Sequence, residues 1–283
     1  MTQRREALAR AAWRLRDAGV ASPDHDAEAM LADLLDVPRL RLGLVDELTP
    51  TELKAFDAMV VRRARREPLQ HILGHATFRY VDVEVGPGVF VPRPETEALA
   101  GWAIDHLRQL PAIPPGPIAV ELCAGSAAMA LSLATEVSGV TVHAVEISDA
   151  AIAYATRNLN GSGVHLHQGD IASAVPSLDG SVDVVVANPP YIPLTAYDSV
   201  DAEARDYDPP LSLWAGGDGL DVVRQVEQVA ARLLRAGGVV GCEHADVQAA
   251  AATAVFSRSG RWTGVRDRAD LAGRPRFVTA SRI

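Results

Sequence analysis

Apolar positions recur at helical spacing along the opening stretch and then change period. Leu8, Ala12 and Leu15 share one helix face, and Gly19 is placed to end that helix as a left-handed cap. Ser22-Pro23 supplies a cap followed by proline at the first helical position, opening a second helix through Leu35. Thr49-Pro50-Thr51-Glu52 reads as a capping box, since Glu52 can reach back to the Thr49 amide, and its helix runs to about Arg66, ahead of Pro68. Short helices in this arrangement predict a small bundle. Between Thr77 and Val91 the period becomes two: Phe78, Tyr80, Val81, Val83 and Val85, then Gly86-Pro87-Gly88, then Val89-Phe90-Val91, a hairpin-like connector.

From about Glu95 strands and helices alternate. Strands are expected at Ile118–Leu122, Val140–Val145, Val164–His167, Val182–Ala187 and Gly238–Glu243, with a final pair near Trp262–Arg266 and Arg276–Ala280. The alternation predicts an α/β, doubly wound, mostly parallel sheet with an antiparallel ending. Three parts follow: a helical domain over 1–74, a hairpin linker over 75–94 and an α/β domain over 95–283. Ligands in such sheets sit at the carboxyl ends of the strands, where strand order reverses.

Composition narrows the classes. With 283 residues, 48% apolar and 22% charged, the chain buries a core, which excludes disordered and fibrous classes. Residues 1–67 carry 12 Arg/Lys against 12 Asp/Glu, whereas 68–283 carry 15 against 24, so the whole net charge of −9 lies in the larger part. That field disfavours a phosphate backbone, and aromatics at 5% disfavour an RNA-stacking surface. No direct nucleic-acid binding is expected. Cys123 and Cys242 are the only cysteines, too few for a disulfide framework or a cysteine zinc site. The charge-free runs Leu122–Thr135 and Val184–Tyr197 fall short of the ~20 residues of a membrane helix. The Arg-rich start, Met1-Thr2-Gln3-Arg4-Arg5, contains Glu6 and Asp17 downstream and reads as a folded amphipathic helix rather than a targeting peptide. A cytoplasmic protein without membrane attachment is expected.

Candidate chemistry stands at successive strand ends. The first gives Glu121-Leu122-Cys123-Ala124-Gly125-Ser126-Ala127, a small-residue turn that lets a ligand approach the backbone at a helix N-terminus. The second ends at Glu146, placed to accept from two ribose hydroxyls, and the third at Gly169-Asp170, where a carboxylate could accept from an exocyclic amine. Dinucleotide phosphates want G-x-G-x-x-G, of which only Gly125 is present. S-adenosylmethionine, with an amino-acid end, a ribose and an adenine but no phosphate, suits one tight turn and two spaced carboxylates better.

The fourth end, Asn188-Pro189-Pro190-Tyr191, suggests the reaction. An amide or aryl amine is a poor nucleophile because its lone pair is delocalised. Held by two acceptors, the Asn188 side-chain oxygen and the Pro189 carbonyl, its nitrogen can be turned towards a sulfonium methyl. Two prolines fix the local backbone, and Tyr191 can stack on the planar group.

These residues resemble the HemK/PrmC protein-(glutamine N5) methyltransferases over nearly the whole chain. Arg66-Glu67-Pro68-Leu69-Gln70-His71-Ile72-Leu73-Gly74 is similar to that family's linker, and Phe90-Val91-Pro92-Arg93-Pro94-Glu95-Thr96-Glu97 to its signature. Asn188-Pro189-Pro190-Tyr191 is similar to its active-site motif; Asp218-Gly219-Leu220-Asp221, Glu243-His244 and Asp270–Phe277 are similar to later blocks. The resemblance implies a class I, Rossmann-like fold with a seven-stranded sheet, S-adenosyl-L-methionine as donor and S-adenosyl-L-homocysteine as product. It implies action on the Gly-Gly-Gln glutamine of class I peptide chain release factors; separately, a monomer is expected. Glu121, Cys123, Ala124, Gly125, Ser126, Ala127, Glu146, Ile147, Asp170, Ile171 and Asn188 would bind the donor. Asn188, Pro189 and Tyr191 would be catalytic, and Pro190, Phe90 and Arg93 would join them against the substrate. Where the family usually reads Asp-Leu-Gly-Thr-Gly-Ser-Gly, this chain has Glu121, Cys123, Ala124 and Ala127. Ala127 is tolerable there if its φ is negative, as at a helix start, and Cys123 is expected to fill space. A ribosomal-protein glutamine methyltransferase and a DNA or RNA amino-methyltransferase remain as alternatives.

Other features read more plainly. His165 and His167 share a strand face and suggest packing rather than metal ligation. Glu243-His244 suggests a structural hydrogen bond. The run Arg62, Arg63, Arg65, Arg66 suggests a solvated face, with contact to an acidic partner as the alternative, and the acidic residues Asp198, Asp201, Glu203, Asp206 and Asp208 either an insertion that shapes substrate access or, equally, a solvated loop.

Overall fold

The computed structural model describes residues 3–45, 47–111 and 116–283; Met1 and Thr2, the first residues of the expected opening helix, lie outside them. The chain divides into two compact units, Met1–His75 with Asp201–Tyr207, and Ala76–Val200 with Asp208–Ile283.

In the first unit, helices α1 (Gln3–Asp17), α2 (Pro23–Leu34), α3 (Pro50–Ala64) and α4 (Leu69–Leu73) enclose Leu15, Met30, Leu31 and Phe56. Gly19 closes α1 at φ 72°. The capping box of α3 is formed, Thr49 N–H donating to Glu52 at 2.6 Å and Glu52 N–H to Thr49 Oγ1 at 3.2 Å. Ser22 makes no side-chain cap to α2, whose start rests on Pro23 alone.

The arginine run is a solvated face at Arg62 and Arg65 but not at Arg63 and Arg66. Arg63 is 4% exposed and donates to Asp26 and Glu203, both at 2.8 Å, while Arg66 reaches Glu203 at 3.0 Å and Asp201 at 3.2 Å. Tyr207 Oη donates to the Arg65 carbonyl at 2.8 Å. The acidic segment, carrying α8 (Ala202–Tyr207), is thus built into the helical unit by buried charge pairing. The linear reading leaves it with the α/β portion, because nothing local in the sequence says that an acid more than a hundred residues away completes Arg63.

The second unit begins with a two-stranded hairpin, β1 (His75–Phe78, its first residue belonging to the helical unit) and β2 (Val81–Glu84). The hairpin turn falls at Arg79-Tyr80, with Arg79 at φ 53°; the expected Gly86-Pro87-Gly88 turn is a separate one, closed by the Val89 N–H to the Gly86 carbonyl at 3.3 Å, and no strand follows it. Helices α5 (Thr96–Gln109), α6 (Ala128–Glu136), α7 (Asp149–Asn158), α9 (Asp221–Leu233) and α10 (Ala249–Arg258) flank a seven-stranded sheet. Its strands are β3 (Ile118–Leu122), β4 (Thr141–Glu146), β5 (His165–Gln168), β6 (Val182–Ala187), β7 (Leu234–Glu243), β8 (Trp262–Ala269) and β9 (Pro275–Arg282). The order is β5-β4-β3-β6-β7-β9-β8, parallel except for β9, which runs antiparallel to β7 and β8.

Alternation along the central strands sorts the core into two layers. Ala119, Val184 and Val186 face α5 to α7, meeting Leu99, Ile104 and Leu133; Val120, Leu122 and Val185 face α9 and α10, meeting Val226, Leu233 and Phe256. Both faces are covered, which explains why β6 reads as an apolar run interrupted only by Asp183. Near the sheet edge His165 and His167 stack on His143, with ring centroids at 4.7 and 5.2 Å, as strand packing. No described helix is long and apolar enough to cross a membrane.

Candidate active site

Strand order reverses at β3. The chain moves outward from it through β4 and β5, then returns to its other side with β6, so the carboxyl ends of β3 and β6 flank the crevice where such folds take ligands. Register makes this concrete: Leu122 pairs with Val145 on one side and with Ala187 on the other, and Ala187 pairs in turn with Cys242. The residues just after these pairs, Cys123, Glu146, Asn188 and Glu243, therefore form one row along the sheet edge.

The β3 turn is shaped by its backbone. Cys123, Gly125 and Ala127 all take left-handed conformations, at φ 58°, 56° and 61°. Ala127 therefore does not meet the condition of negative φ under which it would replace glycine without strain. The chain must double back to start α6, and the two non-glycine residues accept a cost of about 1–2 kcal/mol each to do so. Hydrogen bonds hold the shape: Ala124 N–H to the Val145 carbonyl at 3.0 Å and Ala127 N–H to the Ala124 carbonyl at 2.7 Å. A Cβ built on Gly125 would meet nothing within 4 Å, so the turn faces open space.

The flanking acids take different parts. Glu121, 3% exposed, lies beneath the turn and accepts from the Ala130 N–H at 2.7 Å, capping α6; burial pushes its carboxyl up to about 8. It supports the turn from below. Glu146 accepts from the Gly125 N–H at 2.7 Å through Oε2 and from the Ile147 and Ser148 N–H groups at 2.9 and 2.7 Å through Oε1. Three backbone donors fix this carboxylate while leaving lone-pair capacity for a further donor. The Ser126 carbonyl accepts from Asn158 at 3.0 Å. Asp170, at the end of β5, is exposed and accepts from Ala172 N–H at 2.8 Å and Gln225 at 2.9 Å, with Ile171 buried beside it and Ile147 half exposed. An open small-residue turn with a ribose-height carboxylate and a second acid one strand further out fits a nucleoside bearing an amino-acid arm. The Cys123 thiol is pushed well above its ordinary range by burial and by Glu146, so it stays protonated and fills space.

The β6 end is shaped by side chains instead. Asn188 Nδ2 donates to Thr96 Oγ1 at 3.2 Å, which leaves Oδ1 as the amide's acceptor. Tyr191 Oη donates to Glu243 Oε1 at 3.1 Å, fixing the ring, and burial raises the phenol far above its usual range. Gln248 Nε2 donates to the Tyr191 carbonyl at 2.9 Å and to the Asp218 carbonyl at 3.1 Å. Gly219, at φ 76°, lies under the same carbonyl: a Cβ there would sit 2.3 Å from the Tyr191 oxygen. That close approach gives the Asp218-Gly219-Leu220-Asp221 block its physical reason.

Two expected substrate contacts are otherwise engaged. Arg93 donates to the buried Asp208 at 2.6 Å and its guanidinium lies 5.0 Å from the centre of the Phe90 ring. His244 is fully buried, between the Ala245 carbonyl and Asp267, both at 2.9 Å, a structural role as expected. Thr96, Gln248 and Gly219 were not singled out from sequence, although Thr96 and Gly219 lie inside blocks that were; Gln248 carries no sequence signal.

Residues 6–74 match the family described as the PrmC N-terminal domain, and residues 119–206 match a methyltransferase domain. A release factor glutamine methyltransferase of Streptomyces coelicolor is 51% identical over 279 residues, 97% of this chain and 96% of that protein. The chain belongs to the release factor glutamine methyltransferase family. As a member it is an S-adenosylmethionine-dependent methyltransferase. A 4-amino-L-phenylalanine/4-methylamino-L-phenylalanine methyltransferase of Streptomyces pristinaespiralis is 45% identical over 212 residues, 74% of this chain and 72% of that protein. The crystal structure of a methyltransferase from Pyrococcus furiosus, 22% identical, aligns with 72% of this chain and 90% of its own at a TM-score of 0.52, and shares the fold.

Proposed function

We propose that this methyltransferase transfers a methyl group to the side-chain amide nitrogen of the glutamine in the Gly-Gly-Gln loop of class I peptide chain release factors. The observation that carries the reading is the Leu122↔Ala187 register, which sets the Asn188 amide beside the β3 turn with Nδ2 committed to Thr96 and Oδ1 left to accept. S-adenosyl-L-methionine, when bound, supplies a methyl group on a positively charged sulfur. Cys123 to Ala127 would enclose its amino-acid arm, Glu146 would accept from its ribose hydroxyls, and Asp170 with Ile171 would face its adenine. Asn188 Oδ1 and the Pro189 carbonyl would accept the two N–H bonds of the target amide and so orient its lone pair. Pro190 stiffens the loop, and Tyr191, tethered through its hydroxyl, offers its ring to the planar amide. No strong base is needed, because the amide proton becomes acidic only once nitrogen is alkylated.

The glutamine substrate is favoured over an aryl amine by the match of residues 6–74 to the PrmC N-terminal domain and by the near-complete coverage of the Streptomyces coelicolor relative. The −9 charge favours a protein over a nucleic acid. A cytoplasmic, monomeric enzyme accompanies the proposal. Its test is incubation with methyl-labelled donor and, separately, purified release factor, large-subunit ribosomal protein, rRNA and 4-amino-L-phenylalanine. Label is expected on the glutamine-bearing tryptic peptide of the release factor; label confined to any other acceptor would overturn the substrate.

A further inference from the structure

Glu243 is 1% exposed and stands beside Asn188 in the strand-end row, yet nothing above gives it more than the Tyr191 hydroxyl to hold. Its Oε2 is buried without a hydrogen-bond partner, and so is open to a donor that turns towards it. Opposite lies Thr96, also buried, whose hydroxyl oxygen already accepts from Asn188 and whose own proton needs an acceptor. The Thr96 hydroxyl faces this carboxylate and stabilises its charged form, as do Arg276 and Tyr191.

We propose that Glu243 and Thr96 are positioning residues that set the direction of the Asn188 amide: the Thr96 hydroxyl donates to Glu243 Oε2, so its oxygen can only accept, and Asn188 must turn its NH2 to Thr96 and its oxygen to the substrate. The proposal rests on the role given to Asn188 above. A side-chain amide is nearly symmetric in shape, so packing cannot choose between its two ends; a chain of donors ending in a carboxylate, which can only accept, does. The same carboxylate takes the Tyr191 hydroxyl, so one buried acid orients both the acceptor and the stacking ring. With the chain reversed, Asn188 would present N–H to the substrate N–H, and the nitrogen would not be held.

The charge state of Glu243 is part of the device. Burial pushes its carboxyl up to about 7, with Glu95 adding to the rise and Thr96, Arg276 and Tyr191 opposing it; Asp270 pairs with Arg276 from behind at 3.3 Å. Protonation as pH falls through about 7 removes the terminal acceptor and frees the chain to reverse.

The test compares Thr96→Val, Thr96→Ser, Glu243→Gln and Asn188→Ala in the full chain, with labelled donor and purified release factor. Thr96→Val keeps the shape and removes the hydroxyl; kcat is expected to fall about 100-fold while donor Kd and release-factor KM stay within about 3-fold. Thr96→Ser is expected to restore kcat, and Glu243→Gln to match Thr96→Val. The wild-type kcat is expected to fall below pH 7, and that limb to be absent in Thr96→Val. Unchanged kcat in Thr96→Val, or a loss that Thr96→Ser does not repair, overturns the proposal while an inactive Asn188→Ala leaves the role of Asn188 standing. Full turnover by Asn188→Ala overturns both.

Discussion

The two strand ends that flank the reversal in strand order keep their shapes by different means. After β3 the chain is held chiefly by main-chain conformation, three left-handed residues and two backbone hydrogen bonds, and the side chains that reach it, Glu146 and Asn158, bond its main chain rather than its side chains. After β6 it is held from outside, by Thr96, Glu243 and Gln248 reaching in from other elements. The first kind of end tolerates changes of residue type provided the backbone survives. The second depends on particular functional groups, so a single substitution there removes chemistry while leaving the fold.

The largest expected effect follows on the β6 side. Asn188→Ala should lower kcat by roughly 10²–10³-fold, as loss of a preorganised polar group does, with donor binding still measurable by calorimetry. Turnover near wild type would make the two ends alike and remove the distinction. Next comes the carboxylate that serves the β3 side: Glu146→Ala should weaken donor binding by about 1.5–3 kcal/mol, roughly 10- to 150-fold in Kd, since hydrogen bonds to a charged group are lost. The smallest effect is at the turn itself. In Ala127→Gly, relief of about 1–2 kcal/mol of left-handed strain is offset by the flexibility glycine adds to the unfolded chain and by one buried methyl, so stability should stay within about 1 kcal/mol. Denaturant melts would read this, and donor Kd should be unmoved. A large loss in either would mean that the alanine methyl, rather than the backbone, shapes the turn.

What was legible in sequence tracks this same division. Strands β3 and β6 fell where the apolar runs placed them, because a strand buried on both faces has no other way to read. Asn188, Glu146 and the small-residue turn were visible because each stands at the end of such a run. The sign of φ at Ala127 was not legible because φ depends on where the chain must go next, and alanine is equally at home in ordinary helix. Gln248 and the pairing of Arg63 with Glu203 were invisible for a different reason: their partners lie 57 and 140 residues away, and no local pattern carries that distance. The hairpin turn at Arg79-Tyr80 was hidden behind the stronger glycine-proline signal seven residues later.

The excursion of Asp201–Tyr207 makes the enzyme impossible to cut cleanly in two. A fragment ending at His75 would carry Arg63 with only Asp26 to neutralise it and Arg66 with neither of its acids, exposing a guanidinium that the native chain keeps dry. The complementary fragment would release Glu203 and Tyr207 into water just before Asp208, the residue that secures Arg93. A cut after His75 therefore separates the helical portion from seven residues that belong to it, and the fragment 1–75 is expected to be less stable than the same helices in the full chain.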